Sequence, residues 1–217
     1  MPNKAISKPV IVLVEGLDYL YLLLKSPLVR NPLFQKHVQL LNFKEGGSTL
    51  TQYIGLLLLM RDFDLVSHLG VVCDAEFGYA GMCTSVRDAL RQHGFAASER
   101  PAEVAGDSPK VAYLVIPHDG SDGCLEHACL SACTKPGLIP CVEKFRDCVG
   151  GAQLNANWQA KLMVHALIAG SGNNPALTLG ESAETGLWDF AHPGLDAILQ
   201  FVLTLANDRD MSAVTQL

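Results

Sequence analysis

Four short, nearly uninterrupted aliphatic runs, at residues 10–14, 38–43, 69–73 and 111–116, are separated by stretches long enough to form helices. A strand that is apolar at every position needs cover on both faces; a half-wetted strand would alternate. Such strands alternating with helical patterns predict an α/β fold, with a mostly parallel central sheet flanked by helices. Right-handed crossovers then bring the strand C-termini to one edge, where ligands of such sheets gather.

Local punctuation places the helices. The first is expected over residues 19–25, capped by Asp18 after the tight turn at Gly16 and ended by Ser26-Pro27. Ser48 or Thr49 is positioned to cap a helix over residues 50–60, and Gly94 to end one over residues 84–93. Residues 100–109 read as a polar loop. Further helices are expected over residues 124–133, 140–148, 155–169 and 195–206. With no internal repeat and no long linker, residues 1–217 are expected to form one domain, with a helical extension from about residue 137.

Apolar residues make up 49% of the chain, enough to offset chain entropy by burial. The formal charge of −6 argues against a broadly basic nucleic-acid-binding surface, though an acidic cluster under a metal ion with a small basic patch remains compatible with nucleic-acid chemistry. Seven cysteines, an odd number, and an N-terminus without a secretory pattern point to reduced thiols and a cytoplasmic location. The longest apolar runs, residues 54–60 and 10–14, fall well short of the roughly 20 residues of a membrane helix.

Chemistry collects where the strands stop. The first run ends in Glu15, the third in Asp74-Ala75-Glu76, and the fourth leads to His118-Asp119 and on to Glu126. A carboxylate closing a buried strand needs a partner. Carboxylates gathered at one edge repel one another unless a cation lies between them. Mg²⁺, or Mn²⁺, suits such an oxygen cluster. Against this stands the ordinary reading of an acid after a strand as a cap or a solvated turn, which is the stronger one for Asp18 alone.

Val14-Glu15-Gly16-x-Asp18, followed by Asp74-Ala75-Glu76, resembles the Toprim domain of topoisomerases, DnaG-type primases and nucleases related to the overcoming-lysogenization-defect (OLD) proteins. The likeness is closest to a small Toprim-like family within the nuclease-related group. Ile116-Pro117-His118-Asp119, Gly123-Cys124-Leu125-Glu126 and residues 160–169 add to it, so the resemblance runs over roughly residues 10–206. It implies a Rossmann-like, Toprim-like sheet, Glu15 as general acid or base, and Asp74 and Glu76 as Mg²⁺ ligands. Glu76 departs from the usual aspartate by one methylene, which alters the reach of the metal pair. Asp119 and Glu126 look like additional family acids.

The implied reaction is Mg²⁺-dependent phosphodiester cleavage or phosphoryl transfer on a nucleic acid or nucleotide, with Glu15 moving a proton and a cation neutralising phosphate. Lys161, on an otherwise apolar helix, is the first candidate for that cation, ahead of Arg87 and Lys44; its ordinary reading is a snorkelling side chain. His118 is a substrate contact or a loop histidine bonded to Asp119 or Asp122, and His165 shares the Lys161 face. Cys124, Cys129 and Cys133 with His127 lack zinc-site spacing, and Cys73 belongs in the core. The glycines before Ser48 do not follow the phosphate-loop order, and Trp158 and Trp188 are too isolated to form a stacking platform. Two other accounts compete: a non-catalytic nucleotide- or nucleic-acid-binding regulator that kept the fold, and a structural oligomer subunit. A homodimer is the default expectation for assembly.

Overall fold

The computed structural model describes residues 5–172 and 174–214, with side chains as far as Arg209. Four parallel strands, β1 (Val10–Val14), β2 (Val38–Asn42), β3 (His68–Asp74) and β4 (Lys110–Ile116), lie in the order β2-β1-β3-β4. The two central strands are wholly buried, as their unbroken aliphatic runs require. Successive residues point to opposite faces: Val10, Val12 and Val14 join one apolar cluster, while Ile11 and Leu13 join the other.

Eight α-helices cover the sheet among the described residues. On the Ile11 side lie α3 (Leu50–Leu58) and α4 (Tyr79–Gln92), through residues such as Tyr53, Ile54, Val86 and Leu90. The Val12 side holds α1 (Leu17–Lys25), α2 (Pro32–His37), α5 (Leu125–Ser131), α6 (Ile139–Cys148), α7 (Ala156–Gly170) and α8 (Pro193–Val214). Each fully buried leucine or isoleucine in these layers contributes roughly 1.5–3 kcal/mol relative to exposure. None of the described helices is long and apolar enough to cross a membrane.

Several elements differ from the sequence reading for identifiable reasons. Asp18 does not cap α1: Gly16 holds that position, at φ 99°, and Asp18 sits inside the first turn with Oδ1 accepting from Gly180 N–H at 3.0 Å. The short α2 was not anticipated, although Asn31-Pro32 is an N-cap followed by a helix-starting proline; Asn31 Oδ1 accepts from Leu33 N–H at 2.9 Å. α4 begins earlier than residue 84, at Tyr79, whose N–H donates to Asp122 Oδ1 at 2.9 Å. α8 runs past residue 206, and near its end Asp208 Oδ2 accepts from Lys110 Nζ and meets His68 Nε2, both at 2.7 Å. Thr49 caps α3 in a reciprocal box with Gln52.

The topology fixes where a ligand fits. The chain leaves β1 through α1 on one face, but leaves β3 through α4 on the other. Adjacent parallel strands whose connections part to opposite faces open a crevice at their C-terminal ends. Here that crevice lies between the ends of β1 and β3.

Candidate functional site

Glu15 follows β1 directly and continues its ladder, its N–H donating to Val72 O at 3.1 Å. Asn42, at the end of β2, accepts from both Gly16 N–H (3.0 Å) and Lys44 N–H (2.9 Å), which locks the two turns together. The Glu15 carboxylate is thereby held between neighbours: Oε1 pairs with Lys44 Nζ at 3.1 Å, and Oε2 accepts from Asp74 N–H at 3.0 Å. The acids that close β1 and β3 therefore meet at one edge of the sheet.

Asp74 is almost fully buried, and its Oδ1 takes two hydrogen bonds, from Tyr19 O–H at 2.5 Å and Leu125 N–H at 2.8 Å. Burial pushes its carboxyl up to about 8; the Tyr19 hydrogen bond opposes the rise, while nearby Glu15 and Glu126 add to it. The same environment pushes the Tyr19 phenol well up, by burial first and then by the negative charge of Asp74.

A cavity of 130 Å³ opens at this point, lined among others by Glu15, Asp18, Tyr19, Asp74, Glu126 and Lys161. Glu126 arrives on the first turn of α5, which Leu125 N–H ties to Asp74. Lys161 arrives from α7, its ammonium 5.7 Å from the centre of the Trp158 ring. Burial alone would lower the Lys161 ammonium, but the negative charge of Glu126 first, with Glu76 and Asp74 behind it, outweighs burial and holds the lysine above its ordinary value. Lys161 thus faces several carboxylates from the cavity side, while Lys44 pairs with Glu15 from the other.

The other sequence candidates lie around this cavity. Glu76 adopts a left-handed backbone (φ 52°) bridged to Gly123, and its Oε2 accepts from Asn157 Nδ2 at 2.8 Å. It is not among the cavity-lining residues. His118 and Asp119 line a different cavity on the far side of α5, and Asp119 Oδ1 caps its own turn by accepting from Ser121 N–H at 3.0 Å. His165 is exposed. Arg87 is engaged on α4 by Glu99 and Thr84. Four of the cysteines, Cys73 among them, are buried, and all seven are free thiols.

Tyr19, Asn42 and Asn157 escaped the sequence reading. Only Asn157 left a trace there, four residues before Lys161 and so on the same helical face.

Among the described residues, no three His, Cys, Asp or Glu side chains stand close enough together to hold a metal ion as a set. Mg²⁺ asks for less, since it commonly takes one or two carboxylates and completes its shell with water and substrate phosphate. By donor chemistry, Asp74 and Glu126, which share the cavity, fit that demand as a pair, while both oxygens of the neighbouring Glu15 are engaged by Lys44 and by Asp74 N–H.

A family model described as a protein of unknown function (DUF3226) matches residues 9–207 of the chain. No curated protein and no solved structure matches it.

Proposed function

The chain belongs to the DUF3226 family, and from the geometry of its carboxylate cavity we propose a Mg²⁺- or Mn²⁺-dependent site for phosphodiester cleavage or phosphoryl transfer on a nucleic acid or nucleotide. The observation that carries the reading is the meeting of Glu15, Asp74 and Glu126 with Lys161 around one cavity at the crevice between β1 and β3. The resemblance of Glu15-Gly16-x-Asp18 and Asp74-x-Glu76 to the Toprim pattern supports the same chemistry.

In this reading Asp74 and Glu126 hold the dication, which supplies charge stabilisation at phosphate oxygens when bound. Tyr19 and Leu125 N–H fix Asp74 by occupying its Oδ1. Glu76 keeps α7 in register through Asn157 and sits close enough to Lys161 to act on its charge. Lys161 meets a phosphate oxygen. Glu15 moves the proton of the attacking or leaving oxygen. Its partner Lys44 is half exposed, so exchanging that ion pair for a phosphate contact costs little.

A second reading, a non-catalytic binding or regulatory protein, draws on the fact that both Glu15 oxygens and one Glu76 oxygen are already engaged. Cleavage assays on single- and double-stranded DNA and RNA, with Mg²⁺ or Mn²⁺, separate the two. Catalysis predicts turnover that chelator abolishes and that Glu15→Gln and Asp74→Asn each lower by about 10²-fold or more. Turnover surviving both substitutions would place the chemistry elsewhere; cation binding without turnover would favour the regulatory reading.

A further inference from the structure

A second, wider cavity, walled by both apolar and polar side chains, lies across α5 from the carboxylate site. It measures 380 Å³, within the usual range for small-molecule sites, and is lined by His127, His192, Asp119, Asp122, Pro117 and Pro193 among others. Leu125 and Glu126 face the first cavity, whereas the next residues of the same helix, His127 and Ala128, face this one.

Hydrogen bonding settles what these side chains offer. His127 Nδ1 accepts from Cys124 N–H at 3.2 Å, and His192 Nδ1 accepts from Gly194 N–H at 3.3 Å. A neutral imidazole that accepts at Nδ1 carries its proton on Nε2. Neither Nε2 has a protein partner among the described residues, and neither is buried without one, so both remain available as donors. On the other side, Asp119 and Asp122 each commit Oδ1 to a backbone N–H, of Ser121 and Tyr79 respectively, which orients the carboxylate and leaves Oδ2 as acceptor. The rings of Pro117 and Pro193 add apolar wall.

Two oriented donors, two oriented anionic acceptors and an apolar wall match a neutral, hydroxyl-rich ring. The carboxylates repel phosphate, while an adjacent pair of hydroxyls donates to them and accepts from the imidazoles; carboxylate recognition of ribose hydroxyls follows the same logic elsewhere. We propose that this cavity binds a ribosyl group through its cis-diol, as carried by a free pentose or a nucleoside. The site stands independently of the chemistry assigned to the carboxylate cavity.

The test is a titration of the ¹⁵N-labelled protein with adenosine, ribose, 2′-deoxyadenosine and adenosine monophosphate, following the imidazole nitrogen signals. Saturable movement of the His127 and His192 Nε2 signals is expected with adenosine. Comparable binding of ribose would assign recognition to the sugar alone, and tighter adenosine binding would add the apolar wall; either outcome supports the ribosyl site. The deoxynucleoside, and the Asp119→Asn variant with adenosine, should each bind at least about tenfold more weakly, the loss expected for a hydrogen bond to a charged group. His192→Phe should weaken binding comparably, and it serves if Asp119→Asn fails a circular-dichroism check of folding. Absence of movement at millimolar ligand, equal binding of the deoxynucleoside, tighter binding of the monophosphate, or unchanged affinity in folded variants would overturn the proposal.

Discussion

The Asp74 carboxyl is buried beside Glu15 and Glu126, and its protonation is therefore coupled to folding. Folded, it titrates at about 8; unfolded, near the ordinary value of about 3.9. The protonated form contributes its stability in full below about pH 4, and that contribution is lost as pH rises through about 8. In chelator, the thermal stability of the native chain should fall across this window, and Asp74→Asn should flatten the decline; parallel profiles would contradict the placement of Asp74. This residue, Glu15 and Lys161 were legible in the sequence because a charge that interrupts an apolar run is conspicuous. Tyr19, Asn42 and Asn157 were not, because each is an ordinary polar side chain until α1, β2 and α7 carry it to the strand ends. The position of Glu76 was also hidden, since its left-handed backbone and its bridge to Gly123 depend on a distant loop.

Among the elements, α8 rests on the middle of the sheet through Gly70. A Cβ there would lie 2.5 Å from Leu205 Cδ1 and 3.2 Å from Phe201 Cε1, all in fully or nearly fully buried surroundings. Gly70→Ala should therefore cost about 1–3 kcal/mol in urea unfolding; a neutral effect would show that α8 packs less closely than described. Further along α8, Asp208 joins His68 and Lys110 at the opposite end of β3 and β4. Replacing it with asparagine should cost up to about 1.5–3 kcal/mol, the range for hydrogen bonds to charged groups, and should raise amide exchange in the last turns of α8. Unchanged exchange would argue that this contact does not anchor the helix. The sequence indicated the strands and most helices because their apolar periodicity is local. It missed the full length of α8 because the anchor, His68, lies 140 positions away.

For the whole molecule, the order β2-β1-β3-β4 decides the location of the site more than any single residue does. With α1 on one face and α4 on the other, the ends of β1 and β3 cannot be closed over by a connection, and Glu15 and Asp74 fall there. The parallel α/β architecture was legible from four buried-type runs, whereas the partition of polar side chains between two cavities across α5 was not, since neighbouring residues 126 and 127 line different cavities. The central claim, a divalent-cation site formed by Asp74 and Glu126 with Glu15 alongside, is most directly tested by calorimetric titration of the metal-free chain with Mn²⁺. The account predicts one saturable site, weakened at least about tenfold by Asp74→Asn and by Glu126→Gln but retained in Glu76→Gln. Absence of binding by the native chain at millimolar Mn²⁺, or loss of binding in Glu76→Gln with retention in Glu126→Gln, would contradict it.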